Sequence, residues 1–245
     1  MLTLPNKIYK STADLTLEEF RSIYKNFNSP IAEFDCGKKC APYNPSGKPF
    51  CCDICHAVPA AYKSEWNYLE QSTDLWHEWR GDECEDTPPN EITQLKAETP
   101  KGMVLLACLG PSRCQRDFRA LSCRQFPFFP YVTSKYRFIG LAYEWEFEAR
   151  CWVISNPSSV TRKYREEFVR TYDKLFAYFQ DEFDHYAYHS QRLREHFTQQ
   201  KRRFPLLHRN GESYLVSAKS ERLQRISPHR LPRFGVYRDS QKNQR

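Results

Sequence analysis

Ten cysteines fall into two groups along the 245-residue chain, and their spacing points to thiol chemistry. The first group is Cys36 and Cys40, then the adjacent Cys51 and Cys52, then Cys55. The second is Cys108, Cys114 and Cys123, preceded by Cys84 and followed by Cys151. A thiolate binds a soft or borderline cation strongly, and a short spacing lets one loop supply two ligands at tetrahedral angles. Cys36-x3-Cys40 and Cys52-x2-Cys55 both meet that condition, and the Gly110-Pro111 turn can fold Cys108 back towards Cys114. Adjacent residues such as Cys51 and Cys52 tend to point apart, which suits two different ions, or one ion and the core. Eight thiolates around two divalent ions would leave about −4 of charge. Lys38, Lys39, Arg113, Arg116, Arg119 and Arg124 are close enough in sequence to offset it. A different reading makes Cys108, at the end of an apolar run, and Cys151, beside Trp152, small buried hydrophobes.

A chain of this length buries a sizeable core without covalent staples. Its cysteine content, about 4%, is below that of short disulfide scaffolds. The amino terminus, Met1 to Lys10, shows no continuous apolar stretch of the secretory kind. No run approaches a membrane span. These features lead to the expectation of a cytoplasmic protein without a membrane partner, where clustered thiols hold metal or do redox work. Net charge is +7, but residues 201–245 carry 12 Lys and Arg against 3 Asp and Glu. That basic segment reads as a solvated extension, with nucleic acid or an acidic protein as the partner it would suit.

The elements that must position the cysteines follow from periodicity. Thr16 and Glu19 make a capping-box pattern, and Phe20, Ile23, Tyr24 and Phe27 follow at helical spacing, which predicts a helix over 16–27. Pro59 suits the start of a second helix over 60–71, with Tyr62, Trp66 and Leu69 as its apolar stripe. Residues 81–101 read as a surface loop. Met103 to Ala107 form a short apolar run that predicts a buried strand ending at Cys108. A strand pair is expected at 131–133 and 136–143, with extension continuing through 144–148. Tyr164, Phe168, Tyr172, Leu175, Phe179, Phe183 and Tyr186 recur in steps of three or four, which predicts one long aromatic helix from Ser159 to about His189.

Cys36, Cys40 and the Cys51-Cys52 pair, then Cys108-Leu-Gly, Arg113-Cys114 and Cys123-Arg-Gln-Phe-Pro-Phe, together resemble the YkgJ-type cysteine-cluster family of zinc- or iron-chelating proteins. The resemblance covers roughly residues 34–151, and its most specific element is the Cys-Arg-x-Phe-Pro-Phe ending at Phe128. It implies metal ligands at Cys36, Cys40, Cys51, Cys52, Cys108, Cys114 and Cys123, with Cys151 as the last and less regular one. The first cluster is looser than the family's, with ten residues between Cys40 and Cys51. Cys55 is therefore an alternative ligand there, and Cys84 another. The distal cysteines are also similar to those of a flagellin lysine methylase, which implies an iron–sulfur-dependent modifying or redox enzyme as a second reading.

Other chemistry is weaker. His185 and His189 stand four apart near Asp181, Glu182 and Asp184, but a helical metal site needs a second matching set. Glu144, Glu146 and Glu148 alternate, so on a strand they would form one water-facing row. There is no Gly-x-Ser-x-Gly elbow, Walker loop or dinucleotide fingerprint, and 8 glycines leave little for cradling loops. The expected architecture is α+β: a small irregular cysteine-rich core with a few short strands, packed against the long aromatic helix. One cysteine-cluster domain would span 1–200, with its metal-binding core at 34–151 and its helical part at 158–200, and 201–245 would be the basic extension. The expected cofactor is zinc or iron, including an iron–sulfur cluster.

Overall fold

The computed structural model describes residues 15–84 and 88–238. Helix α1 (Leu17–Asn26) begins as the sequence predicts: the Thr16 hydroxyl accepts from the Glu19 N–H, and the Glu19 carboxylate accepts from the Thr16 N–H at 2.8 Å. Its apolar stripe buries Phe20, Ile23 and Tyr24. The short helix α2 (Gly37–Cys40) follows, then β1 (Ala60–Tyr62), α3 (Lys63–Ser72) and β2 (Trp76–Glu78). The predicted second helix therefore starts at Lys63, because Ala60–Tyr62 is taken up as a strand against β3 (Met103–Cys108). Helix α4 (Pro89–Glu98) replaces part of the loop expected over 81–101, with Pro89 in its first turn.

The first sheet is antiparallel with order β1-β3-β2. Its middle strand buries Leu106 and Ala107, and the rest of the strand is half-buried rather than sealed on both faces. Helix α5 (Leu121–Gln125) leads into the second sheet, built from β4 (Phe128–Val132) and β5 (Phe138–Tyr143), then β6 (Arg203–His208), β7 (Ser213–Ser217) and β8 (Leu223–Arg225). These five strands pair antiparallel in sequence order. Between β4 and β5 the turn has no glycine, and Tyr136 itself takes the left-handed conformation at φ 52°. Gly140 is required for a different reason: a Cβ there would lie 2.3 Å from the Leu207 carbonyl oxygen of β6.

Three expectations give way. Extension stops at Tyr143, and Trp145–Phe147 forms a 3-10 turn, so Glu144, Glu146 and Glu148 do not make a strand face. The long aromatic helix is two helices, α7 (Arg162–Tyr178) and α8 (Gln180–Gln199), which follow the short α6 (Trp152–Ser155). They break at Phe179, whose backbone is extended at φ −120° and ψ 101°. A straight helix would separate residues fourteen apart by about 21 Å, yet the Tyr172 and Tyr186 hydroxyls are 3.2 Å apart. The sharp bend lets the aromatic stripe wrap the core and brings the α8 Ser190 hydroxyl to accept from the Val132 N–H of β4. Finally, the basic stretch is no solvated extension through 225: β6 and β7 bury Phe204, Leu206, Leu207 and Val216. Residues 239–245 lie outside the described residues.

The fold is thus α+β, with both sheets antiparallel. No helix among the described residues is long and apolar enough to cross a membrane.

Candidate functional site

Cys36 caps α2 at its start and Cys40 ends it. Gly37 allows that helix to lie against the next segment, since a Cβ on it would meet the Pro49 ring at 2.7 Å. Pro49 leads directly into the turn Phe50–Cys52, so this close approach brings Cys51 and Cys52 alongside the α2 thiols. Asp53 fixes the same loop. Its carboxylate accepts from the Asn44 amide at 2.9 Å, the Ser46 hydroxyl at 2.6 Å and the Cys55 N–H at 3.2 Å. Burial opposes the charge on Asp53, but the Ser46 and Asn44 hydrogen bonds outweigh it and hold the carboxyl below its usual range.

Cys108 ends β3 opposite Trp76. The chain then turns at Gly110, at φ 92°, through Pro111–Arg113 to reach Cys114. Cys123 sits on α5, whose entry is held by the buried Glu65 carboxylate accepting from the Leu121 N–H at 2.6 Å. Arg124, the arginine of the Cys-Arg-x-Phe-Pro-Phe motif, is buried and spends its donors on backbone carbonyls. It reaches Phe27 at 2.6 Å, Asp117 at 2.8 Å and Arg119 at 2.9 Å, and its guanidinium lies over the Tyr24 ring. Five-donor geometry suits that role, and lysine could not reproduce it. Cys151 is the capping residue of α6, and α6 packs against α2, which carries Cys36 and Cys40.

The two sequence groups therefore meet. The Cys51 and Cys52 sulfurs are 3.9 Å apart, and the Cys51 thiol hydrogen-bonds Cys52. That bond, helped by Arg119 and opposed by burial, lowers the Cys52 thiol to about 7 and raises Cys51. Charge on Cys52 is felt by Cys36 and Cys40 on one side and by Cys108 and Cys123 on the other. Burial is the main cause that pushes Cys36 up to about 11 and Cys151 up to about 12, and neighbouring thiols add to it. Burial also raises Cys123 strongly. Arg119 donates from Nε to the Cys114 sulfur at 3.0 Å.

Cys55 and Cys84 form a disulfide, which takes both out of the ligand alternatives and leaves the other eight as free thiols. As the side chains stand, no group of three or more His, Cys, Asp or Glu among the described residues is arranged to hold a metal ion. Free thiols are nevertheless the donor type that a thiophilic ion takes.

A cavity of about 760 Å³ opens beside the thiols. Cys51, Cys52, Cys108, Cys114 and Cys123 line it, together with Trp76, Phe126, Phe147, Glu144 and Glu146. Sequence periodicity missed Glu144 and Glu146 here because it placed them on a strand. The 3-10 turn at Trp145–Phe147 is what lets both reach the cavity. His189 does not join His185 in a metal pair. Its Nε2 lies 3.1 Å from the Glu144 carboxylate, with the Trp145 ring stacked on its imidazole. Glu182, near it in sequence, turns inward to accept from the Tyr62 hydroxyl.

No family model, no curated protein and no solved structure matches this chain.

Proposed function

We propose that this is a metal-binding protein that holds zinc or an iron–sulfur cluster through clustered cysteine thiolates, the role that its resemblance to the YkgJ-type family implies. One observation carries the reading: Cys51, Cys52, Cys108, Cys114 and Cys123, drawn from stretches separated by tens of residues, line one cavity, and Cys36, Cys40 and Cys151 stand on the mutually packed helices α2 and α6, while the remaining two cysteines are held in a disulfide. Buried thiols whose proton loss is opposed by desolvation and by one another need a cation before they can ionise together. Zinc or iron would supply that charge and draw the sulfurs into coordination. The residues that would hold it are Cys36, Cys40, Cys51, Cys52, Cys108, Cys114, Cys123 and Cys151. The bound metal would act as a Lewis acid or an electron carrier, according to its identity. The protein's own contribution is the loop scaffold of Asp53, Glu65 and Arg124, with Arg119 offsetting the thiolate charge.

The test is elemental analysis of protein purified without oxygen, compared with Cys114→Ser and Cys123→Ser. Both variants should lose metal and melt at lower temperature, because metal binding contributes directly to folding free energy. Wild-type metal content and melting in both would end this reading.

The cavity favours a second role for the same site, an iron–sulfur-dependent modifying or redox enzyme, because five thiols face a space large enough for a small substrate. Visible sulfur-to-iron absorbance in the anaerobic protein supports it, and a colourless zinc-loaded sample removes it.

A further inference from the structure

Phe34, Tyr43 and Val236 are 45%, 54% and 53% exposed, and they stand on chain segments that pack together with Lys and Arg around them. We propose that this face binds single-stranded nucleic acid, with bases stacking on Phe34 and Trp152 and phosphates held by Lys38, Lys39 and the neighbouring arginines. The proposal stands apart from the metal reading, since no thiol takes part in it.

Particular contacts hold the face in place. Helix α6 lies against α2. The Phe234 N–H donates to the Ser155 hydroxyl of α6 at 2.8 Å, and the Tyr237 hydroxyl donates to the Arg150 carbonyl at 3.0 Å. Gly235 makes that close approach possible, because a Cβ on it would lie 2.6 Å from the Ala149 carbonyl oxygen. The buried Tyr237 in turn meets the exposed Tyr43 ring edge-on at 5.6 Å. The last part of the basic segment is therefore fixed beside α2 and α6.

The stacking element is a surface pocket of about 500 Å³ lined by Phe34, Trp152, Asp35, Lys38 and Lys39. The Phe34 and Trp152 rings stand 5.3 Å apart at 71°, so a planar base could stack on one and meet the edge of the other. Every base has such a face, which makes this contact tolerant of sequence. The Lys39 ammonium lies 5.7 Å from the centre of the Phe34 ring, which puts positive charge beside the stacking surface.

Charge selects the partner. The stretches 33–43, 149–159 and 227–238 carry Lys38, Lys39, Arg150, Arg230, Arg233 and Arg238 against Glu33 and Asp35, so six positive groups against two negative leave +4. The Asp35 carboxylate is engaged by its own loop, where it accepts from the Gly37 N–H at 3.0 Å. Among the described residues, Lys38, Lys39, Arg150 and Arg230 are in no ion pair. A phosphate backbone would supply the missing counter-charge. A duplex is read by a helix or ribbon that enters a groove, whereas the helices of this face, α2 and α6, have four residues each. A lipid surface is engaged by a long amphipathic helix, which α2 and α6 are also too short to be. Exposed rings beside cations suit an unpaired strand.

The test follows the fluorescence anisotropy of a labelled oligothymidylate of about 12 nucleotides, titrated with the full 245-residue chain. It should bind more tightly than a duplex of the same length. Phe34→Ala, at an exposed position, should weaken binding by about 10- to 100-fold, and Phe34→Tyr should restore it. Replacing Lys38 and Lys39 together with glutamine should reduce the slope of log affinity against log salt by about 1.4. No binding, equal affinity for the duplex, or a Phe34→Ala titration that overlays the wild type would overturn the proposal. So would binding to phosphatidylserine vesicles in place of the oligonucleotide, which would make the face a lipid contact instead.

Discussion

Arg119 donates from Nε to the Cys114 sulfur across 3.0 Å, and its guanidinium also lowers the Cys52 thiol. A cation placed there favours the thiolate over the thiol at Cys52. Arg119→Met removes the charge and the donor while keeping much of the side-chain volume. The Cys51 hydrogen bond and Arg119 together lower the Cys52 thiol to about 7, so in reduced, metal-free protein the variant's pH midpoint for iodoacetamide labelling of Cys52 should lie above the wild type's. Metal affinity should fall by about 10- to 100-fold, as for other groups that orient a ligand without touching the metal. An unchanged midpoint together with unchanged affinity would show that the contact has no electrostatic role.

The Cys55–Cys84 disulfide closes a loop across 29 residues, and that loop contains β1, α3 and β2. Replacing both cysteines with serine should cost about 3 to 4 kcal/mol of stability by releasing the unfolded chain. Metal content should stay at the wild-type level, because neither sulfur belongs to the free-thiol set. Urea unfolding with elemental analysis checks both statements. Loss of metal in a variant that still folds would return Cys55 or Cys84 to the ligand set.

Local signals in the sequence carried the first helix and the strand at Met103–Cys108, since capping chemistry and apolar runs act within a few residues. The aromatic stripe from Tyr164 to Tyr186 was legible as one face, but the break at Phe179 was not. Phe179 is a residue that periodicity places on the stripe, and the bend is imposed by tertiary packing. Nor was the fate of the basic segment legible. Its net charge suggested solvation, whereas β6 buries the continuous run Phe204, Pro205, Leu206 and Leu207 directly after the exposed Arg203. At the site, cysteine spacing drew attention to the sulfurs but not to the packing of α6 against α2, which is a tertiary contact. The pairing of Cys55 with Cys84 was likewise beyond spacing, because a disulfide depends on distance in the fold.

Glu182 makes the last prediction, on pH. Its carboxylate is buried on α8 and accepts from the Tyr62 hydroxyl, with Asp181 and Glu65 as acidic neighbours. Burial is the main cause that raises it from 4.5 to about 7, the acidic neighbours add to the rise, and the Tyr62 hydrogen bond opposes it. The folded state therefore holds this proton more tightly than the unfolded chain does. Its contribution to stability is complete below pH 4.5, shrinks as pH rises, and is gone above about 7. The full effect is on the order of 3 kcal/mol. Glu65 is raised by burial as well and acts in the same direction, so the comparison must isolate Glu182. Glu182→Gln keeps an acceptor for Tyr62 and removes the titration. Urea unfolding of the two proteins between pH 4.5 and 8 should show the wild type losing stability more steeply than the variant. Parallel pH profiles would mean that Glu182 stays ionised in the folded protein across that range.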